Sequence, residues 1–200
     1  KVYGQILFPK KFTNEILKDL LNSKGSREFY SQYMNEIFSS ETKIFKGPAR
    51  RWDMGDAQAI KSAITFDPAT SMKKESCDSV VMASGINGAN QLCVLAYTIF
   101  REQEKLPINM MNKIFDYCAY FKIRDVIVEV NGGQEVYVYL LEDEAKKRGI
   151  PIKIIEVRQN KSKESRILAL QPYWERGDLL LKPGMIELEE QIDRFRIPIV

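Results

Sequence analysis

Ala63-Ile64-Thr65-Phe66-Asp67-Pro68 and Val126-Ile127-Val128-Glu129-Val130-Asn131-Gly132-Gly133 are the two stretches on which the fold of this chain turns. Each is a short run of apolar or β-branched residues with one carboxylate near its C-terminal end, closed at once by proline or glycine. Apolar or β-branched residues fill odd and even positions alike, so both runs read as strands buried on both faces. An ionised carboxylate in such a run costs roughly several kcal/mol unless something pairs with it. A divalent cation between the two would serve both, which makes Asp67 and Glu129 candidate metal ligands. The plainer alternative is that Asp67 caps the turn before Pro68 and Glu129 pairs with a lysine.

Working outward, residues 61–67 form a first strand, Asp78–Ser84 a second and Gln91–Phe100 a third, with Gly85-Ile86-Asn87-Gly88 as the hairpin turn. The three predict an antiparallel meander. A helix entered at Pro107 runs to about residue 122, with Ile108, Met111, Ile114, Phe115, Cys118 and Phe121 on its apolar face. The strand 125–130, a helix over about 134–148 stopped by Gly149 and Pro151, and a strand Ile152–Val157 follow. Strand–helix–strand crossovers set those strands parallel. Beyond them, Lys161 to Arg166 opens a helical stretch through Ile167, Leu170 and Trp174 that Pro172 kinks or breaks and Gly177 ends. Leu179–Leu181 is a short strand, Pro183-Gly184 a turn, and Ile186–Phe195 a last helix.

Residues 1–60 differ in character. Thr13 is an N-cap for a helix over 14–22 with Ile16, Leu17, Leu20 and Leu21 on one face, and a second helix covers Ser26–Asn35. Ser39-Ser40-Glu41-Thr42 and Gly47-Pro48 break the pattern. Arg50-Arg51-Trp52 reads either as a linker docked by one tryptophan or as a DNA contact. This segment is a bridge that packs on the domain behind it, residues 61–200.

Composition narrows the chemistry. A hydrophobic fraction of 44% over 200 residues supports a real core. A net charge of +3, from 30 basic and 27 acidic residues, leaves any basic surface local. Cys77, Cys93 and Cys118 form no CxxC pair and read as buried thiols in a reducing compartment. There is no histidine, which excludes Ser-His and Cys-His nucleophiles and His-ligated zinc. Carboxylate oxygens suit hard cations such as Mg²⁺ or Mn²⁺. No apolar run reaches the ~20 residues of a membrane span, and no signal peptide opens the chain.

The β-β-β-α-β-α-β order resembles that of RNase H-like nucleases, in an α/β fold with a mixed five-stranded sheet flanked by helices. There the fourth strand lies beside the first, so Asp67 and Glu129 would sit on strands about 4.8 Å apart. Carboxylates at that range repel unless a cation lies between them. Such a cation binds a phosphate oxygen and acidifies a water, and a second, roughly 3.5–4 Å away, stabilises the leaving oxygen.

More specifically, the chain resembles the C-terminal nuclease domain of the large terminase subunit of tailed phages. Leu7-Phe8-Pro9-Lys10-Lys11-Phe12 and Phe29-Tyr30-Ser31-Gln32-Tyr33-Met34-Asn35 resemble that family's segment joining ATPase to nuclease. Phe66-Asp67-Pro68-Ala69 and Val128-Glu129-Val130-Asn131-Gly132 resemble its two catalytic-acid strands. Asp78-Ser79-Val80-Val81 resembles the strand whose leading acid lies near the metals, and Lys161 to Ile167, then Gly177-Asp178, its lysine-arginine helix and following strand.

The resemblance implies an endonuclease that cuts double-stranded DNA during viral genome packaging by a two-metal mechanism with Mg²⁺ or Mn²⁺. Asp67 and Glu129 would be catalytic, Asp78 a further metal ligand, and Lys161, Lys163 and Arg166 the DNA grip. It also implies a preceding ATPase domain, a portal or procapsid and a small terminase subunit as partners, no membrane, and the bacterial host cytoplasm as location. The family carries a third catalytic aspartate after the last helix. Here Asp193 lies too early and the chain ends at Ile197-Pro198-Ile199-Val200, so part of the metal site is expected to be missing. The alternatives are another RNase H-like enzyme, a transposase or junction resolvase, or a DNA-gripping packaging module without activity in this fragment.

Overall fold

The computed structural model describes residues 6, 8–36, 43–52, 61–69, 78–131 and 133–196. The Ser39-to-Thr42 break, Leu7, Cys77, Gly132 and the Ile197-to-Val200 close lie outside the described residues.

In chain order the elements are α1 (Asn14–Lys24), α2 (Ser26–Met34), β1 (Arg50–Arg51), β2 (Lys61–Asp67), β3 (Ser79–Ile86) and β4 (Leu92–Phe100). Then come α3 (Pro107–Phe121), β5 (Asp125–Glu129), α4 (Glu135–Arg148), β6 (Lys153–Val157), α5 (Lys163–Leu168), α6 (Gln171–Arg176), β7 (Leu179–Leu181) and α7 (Ile186–Arg194). Among the described residues the mixed sheet has seven strands in the order β1-β7-β4-β3-β2-β5-β6, not five. The two extra strands are only two and three residues long, too short for an alternating pattern to announce them. The chain divides into two compact units, one of Lys1–Arg51, Lys161–Leu180 and Gly184–Val200, the other of Trp52–Asn160 and Leu181–Pro183.

The second unit holds β2 to β6 with α3 and α4. β2, β3 and β4 form the expected antiparallel meander, and β2–β5 and β5–β6 pair in parallel. The turn begins at Asn87 rather than Gly85, because β3 continues through Gly85 and Ile86. Asn87 then closes a wider loop: its Oδ1 accepts from the Ala89 and Gln91 amides at 3.0 and 2.9 Å, while Asn90 takes φ of 60°. Ile64, Phe66, Val81, Val126 and Val128 are buried on one face of the sheet. From α3 the buried side chains are Met110, Met111, Ile114, Phe115 and Cys118, whereas Ile108 is 50% exposed. Trp52 is buried, and its indole N–H donates to the Val94 carbonyl at 3.0 Å, which is the docked-tryptophan reading of the Arg50-Arg51-Trp52 cluster.

These strands are not buried on both faces. In β2, β3 and β5 buried residues alternate with half-exposed ones. The half-exposed positions, Thr65, Val80, Met82 and Ile127, are themselves mostly apolar, which hides the alternation from a pattern reading.

The first unit is helical. Thr13 Oγ1 caps α1 by accepting from the Ile16 amide at 3.2 Å. Phe29 of α2 is fully buried and stacks on Tyr33 at 5.4 Å. Gly25, at φ of 81°, lets α6 approach: an added Cβ there would meet the Pro172 ring at 3.2 Å. Gln171 is buried and donates through Nε2 to the Ile44 carbonyl at 3.2 Å and to Glu175 Oε1 at 2.9 Å. The Trp174 indole donates to the Lys46 carbonyl at 2.9 Å. Pro172 does break the helical stretch, leaving α5 and α6 as separate short helices.

Burial pushes the Cys118 thiol up to about 11. Thiolate, the reactive form, is therefore suppressed on the folded chain. Cys118 is expected to resist alkylation at pH 8 until denaturant is added, which mass spectrometry of iodoacetamide-treated protein checks. Between about pH 9 and 11 the folded state holds a proton that the unfolded state has lost, so stability falls through that window and is unaffected by this group below it.

Candidate metal centre

Ile64 lies opposite Val126, Thr65 opposite Ile127 and Phe66 opposite Val128 in the parallel β2–β5 ladder. One residue further, the same register brings Asp67 level with Glu129, at the C-terminal ends of strands whose spacing is about 4.8 Å. Side chains alternate across the sheet, so Thr65 and Asp67 share a face with Ile127 and Glu129. On β3, Val80 pairs with Asp67 and Met82 with Thr65. These residues, with Val157 and Gln159, line one pocket of about 340 Å³. On the opposite face the Phe66 ring is buried and meets Tyr137 of α4 edge-on, centroids 5.4 Å apart. Burial raises the Tyr137 phenol above its ordinary value.

Two side-chain amides, those of Asn131 and Gln134, tie the strand ends together around the acids. Asn131 Nδ2 donates to Glu129 Oε1 at 2.9 Å, and Asn131 Oδ1 accepts from the Gln159 amide, past the end of β6, at 3.3 Å. The Asn131 amide donates to Gln134 Oε1 at 2.7 Å, and Gln134 Nε2 donates to the Pro68 carbonyl. Ala69 N donates to Ser79 Oγ at 2.8 Å, fastening the same turn to β3. Sequence reasoning missed Gln134 and Gln159, and gave Asn131 no role of its own. Lone amides at a strand-to-helix turn have no spacing that marks them; only the Asn-Gly-Gly run hints at a special turn. Gly133 has φ of 92° with open space at its Cβ position, so the turn itself calls for glycine there.

The other singled-out residues are not among those that line this pocket. Asp78 precedes β3 and pairs with Arg101, Nε to Oδ2 3.4 Å, and does not line the pocket. Lys161 precedes α5, Lys163 opens it, and Arg166 lies in its last turn; all three belong to the first unit. Ser162 is the N-cap, accepting from Ser165 N at 3.2 Å. Asp193 pairs with Lys43. Lys147 and Arg148, in the last turn of α4, pair with Asp143 and Glu144.

The donor set suits a hard cation. Mg²⁺ and Mn²⁺ take oxygen ligands, and Mg²⁺ is commonly held by one or two carboxylates with waters and substrate phosphates completing the shell. Two carboxylates facing one pocket match that demand. Among the described residues there is no group of three or more His, Cys, Asp or Glu that could hold a metal. No helix among them is long and apolar enough to cross a membrane.

The structure superposes on the large terminase of a thermophilic bacteriophage with a TM-score of 0.63 at 10% identity, covering 93% of this chain and 46% of that one. The chain thus spans under half the length of that structure. The human cytomegalovirus terminase nuclease domain, Mn soaked and inhibitor bound, aligns with a TM-score of 0.47 at 12% identity over 68% of this chain and 71% of that one. The yeast mitochondrial Holliday junction resolvase aligns with a TM-score of 0.46 at 12% identity over 91% and 85%. A search of curated proteins returns no match. A family model described as Terminase Bacteriophage T7, Ribonuclease H-like domain, matches residues 67–179, more than half of the chain. With an α/β sheet of that architecture and this match, the chain belongs to the terminase ribonuclease H-like domain family, a family of nuclease fold.

Proposed function

We propose that this chain is an endonuclease that cuts double-stranded DNA during viral genome packaging, with Mg²⁺ or Mn²⁺ held by Asp67 and Glu129. One observation carries the reading: two acids from well-separated stretches of chain line one pocket at the ends of neighbouring parallel strands. When bound, the cation supplies charge for the scissile phosphate and an acidified water. The chain's own contribution is to hold two anions side by side against their repulsion, on a sheet packed behind by Phe66 and Tyr137. The apolar floor of Val80, Met82 and Ile127 lowers the local dielectric, which strengthens any charge contact made there. A two-metal arrangement needs a further ligand. Asp78, freed from Arg101, is our candidate within the described chain, alongside a third acid from outside it.

Lys161, Lys163 and Arg166 are proposed to grip the DNA backbone, giving salt-sensitive and sequence-tolerant binding. Residues 1–60 are proposed to bridge from an ATPase domain. The thermophilic phage's large terminase was also solved in complex with ADP, and this chain covers only 45% of it, leaving room for such a domain in the intact protein. A portal or procapsid and a small terminase subunit complete the proposed partners, in the bacterial host cytoplasm.

Supercoiled plasmid incubated with the chain tests the reading. With Mn²⁺ or Mg²⁺ we expect nicked and then linear product, and with excess EDTA none. Cutting that persists in EDTA, or that is confined to four-way junctions, would sink it.

A further inference from the structure

The geometry points to Asn131 and Gln134 as positioning residues that fix Glu129 relative to Asp67 before any cation arrives. The inference rests on the metal-site reading above and extends it to residues that do not themselves need to touch the metal.

A continuous path of hydrogen bonds runs from one acid-bearing strand end to the other. It starts at the Pro68 carbonyl, directly after Asp67, passes through Gln134 Nε2 and Oε1 to the Asn131 amide, and ends from Asn131 Nδ2 on Glu129 Oε1. The Gln159 amide adds a third leg by donating to Asn131 Oδ1, which ties in β6. Gln134 is only 8% exposed, so its bonds compete little with water.

The residue types suit the task. Pro68 offers only an acceptor and the Asn131 amide only a donor, so the side chain between them must donate at one end and accept at the other. Glutamine does so, and glutamate or lysine does not. Asn131 faces a carboxylate and an amide N–H at once, which again needs one donor and one acceptor on a single short side chain. Proline at 68 has a fixed φ, so holding its carbonyl restrains the peptide that follows Asp67. Without such restraint two neighbouring carboxylates would swing apart, because like charges at that range repel. Partners of this kind, one bond behind the ligating groups, usually matter to metal affinity by roughly 10–100-fold.

The test is Mn²⁺ binding to the metal-free 200-residue chain, read by electron paramagnetic resonance of unbound Mn²⁺, for the parent, Glu129→Gln, Asn131→Ala and Gln134→Met. Circular dichroism shows which variants are folded at the assay temperature. We expect Glu129→Gln to lose binding, and Asn131→Ala and Gln134→Met to bind about 10–100-fold more weakly. We also expect raised Mn²⁺ to restore plasmid cleavage by Gln134→Met but not by Glu129→Gln; a residue with a merely structural role would show no such rescue. Parent-like Mn²⁺ affinity in the two amide variants, with binding lost in Glu129→Gln, overturns the inference and leaves the metal site standing. Parent-like affinity in Glu129→Gln overturns the site itself. If Asn131→Ala does not fold, Gln134→Met decides alone, since methionine keeps the length and burial of the side chain.

Discussion

Asp67→Asn is expected to lower plasmid cleavage about a thousandfold while leaving the fold intact. The change keeps size and shape and removes one negative charge. If Asp67 helps hold the cation, the loss is several kcal/mol of transition-state stabilisation; about 4 kcal/mol corresponds to that factor. The residue is exposed at the end of β2, so the substitution touches no packing, and stability should move by less than about 0.5 kcal/mol. Removing a charge beside Glu129 even relieves repulsion in the metal-free chain. Initial nicking rates on supercoiled DNA at fixed Mn²⁺, beside a denaturation curve, give both numbers. A variant that cuts at the parent rate would remove Asp67 from the catalytic site.

The second large effect is on stability. Phe66→Ala is expected to cost about 3–5 kcal/mol, as deleting a buried aromatic does. Phe66 is 1% exposed, one residue before Asp67, and its ring meets Tyr137 edge-on at 90°. Alanine would leave a void between β2 and α4 that neither rigid sheet nor helix can close. Phe66→Leu, which keeps most of the volume, should cost markedly less. Chemical denaturation midpoints at constant slope measure both. A cost for Phe66→Ala below about 1 kcal/mol would mean that α4 does not pack on this strand as described.

Much of this was legible in the chain itself. Pro107, Gly149 and Gly177 punctuate the helices where the structure begins or ends them, because proline and glycine act locally. Asp67 and Glu129 stand out because a charge in a β-branched run is costly, and that too is local. What escaped depends on contacts between distant segments. β1 has only two residues, and its pairing is set by where the chain returns. The half-open sheet face is lined by Val80, Met82 and Ile127, residues that read as core from sequence. Asp78 reads as a leading strand acid, yet its partner Arg101 follows β4. Gln134 is one amide among many until the Pro68 carbonyl is placed beside it.

The helical unit draws on three separate stretches of chain, and this has a practical consequence for anyone trimming the protein. Cutting away the first 51 residues would strip Gln171 of its bond to Ile44, Trp174 of its bond to Lys46, and Glu175 of Ser26. The leftover tail would carry orphaned donors and a bared proline ring where Gly25 once lay. A minimal fragment should therefore keep its leading helices, even though Asp67 and Glu129 both lie downstream of them.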